Sequence, residues 1–119
     1  MLLIFALNLF PIFFVTTEPT GPPQDVLAWT LSSTSILVKW SPPFPSEQNG
    51  IILKYNVSYR SQSNQLKSLE TADNSTSIEV KNLAIFTKYW FTVKAWNVIG
   101  AGPESESVYN TTFEDSKWF

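Results

Sequence analysis

The chain is 119 residues long, 44% hydrophobic and only 15% charged, the length of one ordinary domain with no room for a second. Its formal net charge of -2, from eight basic and ten acidic residues, leaves no electrostatic footprint for nucleic acid or for an anionic membrane surface. Cys and His are both absent, which removes disulfides, thiolate metal sites, the cysteine nucleophile, the commonest metal ligand and the commonest general base together. No enzyme, cofactor or metal is expected. A chain of this size buries roughly 65% of the surface its unfolded form exposes, enough for a core without crosslinks.

Met1 to Val15 reads MLLIFALNLFPIFFV, apolar except for Asn8 and Pro11. It falls short of the ~20 residues that span a bilayer as a helix, and Pro11 would break such a helix. Residues 1–17 therefore read as a signal peptide, although no basic residue precedes the apolar core and no Ala-x-Ala follows it. The competing reading is an amino-terminal extension from an alternative start or a fragment boundary. Residues 18–23, part of the stretch EPTGPPQ, form an extended, helix-incompatible lead-in. The domain is expected over 24–114, with a tail at 115–119.

Within the domain the apolar period is two rather than 3.6. Ile36, Val38 and Trp40 alternate with Leu37, Lys39 and Ser41, and Tyr55, Val57 and Tyr59 alternate with Asn56, Ser58 and Arg60. The clearest run is Thr87 to Asn97, in which Tyr89, Phe91, Val93 and Ala95 face inward and Lys88, Trp90, Thr92, Lys94 and Trp96 face outward. Weaker strands are predicted over 25–31, 65–70, 76–83 and 104–112. The eight prolines avoid all of these runs, and turn signals recur at Asn49-Gly50, Asp73-Asn74 and Gly100 to Pro103. The pattern predicts an all-β, seven-stranded antiparallel sandwich, immunoglobulin-like, with no helical stretch between strands.

These residues, in this order, resemble the fibronectin type III domain. Pro22-Pro23 with Val26 and Ala28 is similar to its first strand, and Ser35 to Pro43, SILVKWSPP, to its second strand with the core tryptophan and proline turn. Asn49-Gly50, Ile52, Tyr55, Val57 and Tyr59 resemble its third strand. Leu83, Thr87 and Tyr89 match the spacing of its tyrosine corner, and Val93, Ala95, Asn97, Gly100, Gly102 and Pro103 its sixth strand and following loop. The resemblance covers about residues 21–114. It implies a non-catalytic recognition or spacer module of a cell-surface receptor or adhesion protein, such as a receptor-type tyrosine phosphatase, or a short secreted form of one.

Trp40, Tyr55, Leu83, Tyr89 and Val93 are assigned to the core, Trp40 filling by volume the space that a disulfide fills in immunoglobulin domains. Tyr89 is expected to bond backbone at the corner. The family's proline between Leu83 and Tyr89 is missing here, so the corner is either less rigid or covered by Phe86. Trp90 and Trp96, with Lys88, Lys94 and Arg60 beside them, form the candidate interaction face. That face either binds a protein partner, stacks a carbohydrate on Trp90 and Trp96, or is simply shielded by Lys and Arg stems lying over the rings. A neighbouring domain of the same family in a longer parent is a further candidate partner.

Three Asn-x-Ser/Thr triplets mark glycan acceptors: Asn74 in a loop, Asn56 on an outer face, and Asn110, which parity with Val108 points inward. The loop 97–104 carries no Arg-Gly-Asp, so integrin-type adhesion through it has no support. An extracellular or cell-surface location is expected, with the membrane reached only through a larger parent. The carboxyl end falls where a linker to a further domain would begin, the pattern of a truncated or spliced product.

Overall fold

The computed structural model describes residues 15–63 and 65–115. The expected signal peptide thus lies outside the described residues up to position 14, as do residues 116–119 of the tail. In chain order the elements are β1 (Gln24–Thr30), β2 (Ile36–Ser41), a one-turn helix α1 (Pro45–Gln48), β3 (Lys54–Ser61), β4 (Lys67–Glu70), β5 (Ser77–Val80), β6 (Lys88–Trp96) and β7 (Val108–Thr111). One sheet has the order β1-β2-β5 and the other β4-β3-β6-β7, with antiparallel pairing throughout.

The two sheets pack as the alternation requires. Ile36, Val38 and Trp40 of β2 and Val80 of β5 face Tyr55 and Val57 of β3 and Tyr89, Phe91, Val93 and Ala95 of β6, all buried. The Trp40 and Tyr55 rings meet edge to face across the gap, centroids 5.2 Å apart and planes at 62°, a geometry that aligns ring edge with ring face. Leu83 is buried at the rim of this core. The Tyr89 hydroxyl accepts the Ala84 N–H at 2.9 Å while its ring stays in the interior.

The corner does not use Phe86 as a cover. Phe86 has φ 49° and is 64% exposed. The loop is tied instead by Thr112, whose buried hydroxyl donates to the Ala84 carbonyl at 2.7 Å and accepts the Thr87 N–H at 2.9 Å. A hydroxyl with one donor and two acceptor positions can bridge two backbone groups in this way without proline.

Three expectations from the sequence change. The helix α1 was not predicted. Pro45 opens it where a missing N–H costs nothing, and Asn49 at φ 52°, ψ 43° closes it in the left-handed region. Strands β5 and β7 are shorter than expected, four residues each. Before β7, Ser105 holds β6 with its side chain: the Val93 N–H donates to Ser105 Oγ at 2.9 Å while the Ser105 N–H donates to the Val93 carbonyl at 2.9 Å. Thr71 does the same for Tyr55 beyond β4. A hydroxyl standing in for a carbonyl satisfies the neighbouring strand but ends the regular ladder.

The lead-in is fastened to the domain. Pro19 is fully buried, the Thr20 N–H donates to the Glu47 carbonyl at 2.8 Å, and Asn49 Nδ2 donates to the Glu18 carbonyl at 3.0 Å. Gly102 permits the close crossing, since a Cβ there would stand 2.8 Å from the Pro19 carbonyl oxygen. Asn97 collects the same pole. Its Nδ2 donates to the carbonyls of Thr17, Gln48 and Asn49, and its Oδ1 accepts the N–H groups of Ile99 and Gly100.

Replacing Trp40 by Ala is expected to cost about 3–5 kcal/mol in urea unfolding, against about 0.5–1.5 kcal/mol for Tyr89→Phe, which removes one hydrogen bond and keeps the ring. Burial pushes the Tyr55 hydroxyl above its usual range, and burial, with Tyr89 adding to it, does the same for Tyr59. Folded pKa values above the unfolded one stabilise fully below about pH 10 and lose that contribution as pH rises through the folded values. Absorbance titration of the phenols is therefore expected to show late-ionising tyrosines, with stability falling above about pH 10.

Candidate interaction face

The outer face of the four-stranded sheet is laid out by the β3–β6 register: Lys54 opposite Trp96, Asn56 opposite Lys94, Ser58 opposite Thr92 and Arg60 opposite Trp90. Strand β7 extends the last of these rows with Tyr109, opposite Trp90. Strand β4 adds Glu70 beside Asn56. Trp90 and Trp96 share this face but stand six residues apart on β6, roughly 20 Å at strand spacing.

Each ring carries a cation. Lys54 Nζ lies 4.8 Å from the Trp96 ring centre and also pairs with Glu70 at 3.2 Å. Lys88 Nζ lies 5.1 Å from the Trp90 ring centre and 3.9 Å from that of Tyr109. The lysines that cover the indoles are thus Lys54 and Lys88, whereas Lys94 and Arg60 cover no ring among the described residues. Both tryptophans are half-buried, and the Trp96 indole N–H is shielded without a hydrogen-bond partner among the described residues. Stacking a sugar on either ring requires moving a lysine first.

Arg60 is exposed and serves a different feature. With Ser58, Trp90, Thr92 and Glu104 it lines a hollow of about 500 Å³ on this face. Glu104 is held there by a hydrogen bond from the Thr92 hydroxyl. The structure therefore brings Arg60 together with Trp90 at one end and leaves Lys94 and Trp96 at the other. No group of three or more metal-ligating side chains occurs among the described residues.

The three acceptor asparagines differ sharply. Asn74 is exposed in the β4–β5 loop, where Asp73 accepts both the N–H and the hydroxyl of Ser75. These bonds hold the Asp73 carboxyl below its usual range. Asn56 is half-buried between Lys94 and Glu70. The Asn110 side chain turns toward β1, its Nδ2 donating to the Ala28 carbonyl at 2.8 Å. A sugar there would have to sit in the seam between β1 and β7.

One exposed surface was missed by the sequence reading. Leu27 and Trp29 of β1 and Leu31 just after it are 58%, 64% and 46% exposed. The signal was present, because an inward Val26 and Ala28 put their neighbours outside. Attention to the tryptophans of β6 passed over the one that has neither a cation over its ring nor an aromatic neighbour among the described residues.

The profile of the fibronectin type III domain matches residues 21–111. The chain belongs to the fibronectin type III domain family. It is 40% identical over 110 residues to the cell adhesion molecule DSCAM of Gallus gallus, a match covering 85% of this chain and 5% of that protein. The chain therefore spans about one-twentieth of the length of that relative. Among solved structures it is similar to the FN5 domain of Drosophila Lar, with TM-score 0.68, 30% identity and coverage of 82% of this chain and 99% of that one. It is also similar to the third fibronectin III domain of human KIAA0343 protein, with TM-score 0.76, 25% identity and coverage of 83% and 86%. Among the described residues no helix is long and apolar enough to cross a membrane.

Replacing Lys88 by Ala is expected to raise acrylamide quenching of tryptophan fluorescence while lowering stability by less than about 1 kcal/mol, the exposed cation–π range.

Proposed function

We propose that this chain is a non-catalytic, extracellular protein-interaction module of a cell-surface adhesion protein. The observation that carries this reading is the 40% identity, over most of the chain, to one domain-sized portion of a cell adhesion molecule. Composition supports it, because a chain without Cys and His lacks the usual nucleophile-and-base pairs. The apolar leader and the exposed Asn74 acceptor support a secretory route. The partner is a protein, taken on the outer face of β3, β6 and β7, where Arg60 and Trp90 border the hollow. Aromatic and arginine side chains at the edge of a concavity are the composition of binding hot spots.

The lysines over Trp90 and Trp96 weigh against carbohydrate stacking. They suit a protein partner, which can accept the ammonium groups with carboxylates and leave the cation–π contacts in place.

Expression of the 119-residue chain in mammalian cells tests the address and the face together. The expected result is protein in the medium that loses mass on deglycosylation, with Asn74→Gln removing most of that loss and Asn110→Gln little. Multimerised on beads, it is expected to bind cell surfaces saturably, and Arg60→Glu or Trp90→Ser to lower that binding at least about 10-fold. Retention in the lysate without glycan overturns the secreted reading. Equal binding by both variants overturns the face, and absence of binding to every cell type leaves a spacer.

A further inference from the structure

The outer face of the three-stranded sheet is apolar along β1 and carries a charge on each of the other two strands, Lys39 on β2 and Glu79 on β5. Cross-strand register places Leu27 beside Lys39 and Trp29 beside Leu37, with Glu79 next to Leu37 on the far side. Trp29 is 64% exposed and Leu27 58%, so a large aromatic anchor and an aliphatic neighbour stand in water on the sheet surface. Lys39 and Glu79 are both exposed, and neither has an ion-pair partner among the described residues. The contrast with the opposite sheet is direct, because there each outer tryptophan is covered by a lysine.

We propose that this face pairs with the same face of a second copy of the chain. The face is self-complementary. A two-fold axis lying between two such faces and running across the strands exchanges the two rows of side chains. Trp29 of each copy then meets Leu27 of the other, and Lys39 of each comes beside Glu79 of the other. A uniformly acidic or basic partner would satisfy one of these charges and oppose the other, whereas a second copy satisfies both. Facing sheets with strands near parallel or antiparallel is also the ordinary way in which such surfaces pack.

The patch is small. Three strands spaced ~4.8 Å apart, over about five residues of β1, give a contact below the ~1,200 Å² of stable complexes. The pairing is therefore weak in solution and gains strength only where copies are held at high local concentration, as on a surface. It uses the sheet opposite to the proposed partner face and stands or falls independently of that reading.

The test is sedimentation velocity of the purified product of the whole 119-residue sequence, from micromolar to roughly 500 micromolar. The expected result is a reversible monomer–dimer equilibrium visible in the upper part of that range. Trp29→Ser weakens it at least about 10-fold. Lys39→Glu and Glu79→Lys each weaken it, their equimolar mixture restores it, and so does the double exchange Lys39→Glu with Glu79→Lys. Lys67→Glu on the other sheet leaves it unchanged. All four positions are exposed, and unaltered thermal midpoints confirm that each variant is folded. A monomer at every concentration overturns the proposal. So does association that Trp29→Ser leaves intact, or that neither the mixture nor the double exchange restores.

Discussion

The rest of the structure depends on a single aromatic contact between the sheets, the edge-to-face packing of Tyr55 and Trp40. A sandwich needs something large at its centre to hold two twisted sheets at their ~10 Å spacing. A chain without cysteine cannot use a covalent bridge, so volume does the work. Trp40 supplies it from β2 and Tyr55 from β3, and the β-branched residues Ile36, Val38, Val57, Val80 and Val93 fill the layers on either side. Tyr59 continues the aromatic stack to Phe91 and Tyr89, which carries the core to the corner where the Tyr89 hydroxyl meets the Ala84 N–H.

Both ends of the sandwich are closed by side chains acting as surrogate backbone. At one pole Asn97 gathers three carbonyls from two separate segments and two N–H groups of its own loop. At the other, Thr112 joins the corner to the end of β7. Loops that would otherwise leave buried peptide groups unpaired are thereby satisfied. The cost is local regularity, since strands stop where a hydroxyl or amide replaces a carbonyl. Function gains a frame from this, because the side chains of the two sheet faces are held in fixed register.

The two outer faces are different kinds of surface. On the four-stranded sheet, lysine ammonium groups lie over the indoles and the aromatic area is half hidden, and of the two cations that cover no ring among the described residues Arg60 borders the hollow. On the three-stranded sheet the aromatic area is bare and the charges stand to one side without ion-pair partners among the described residues. The two proposed contacts, a heterologous partner on one side and a second copy of the chain on the other, would both use preformed sheets.

Most of the fold was legible in the sequence because a period-two alternation assigns each side chain to a face without knowledge of the partner strand. That alone placed Trp40, Tyr55, Tyr89 and Val93 inside and Trp90, Trp96 and Lys88 outside. The expected tyrosine hydrogen bond rested on spacing within one loop, and such local relations survive in sequence. What only the tertiary structure decided was lateral: which cation covers which ring, that Lys54 rather than Lys94 reaches Trp96, that Thr112 and not Phe86 secures the corner, and that Asn110 is spent on β1. The physical reason is that alternation fixes the direction of a side chain but not its register against the next strand, and contacts across strands and between sheets join residues up to 82 positions apart.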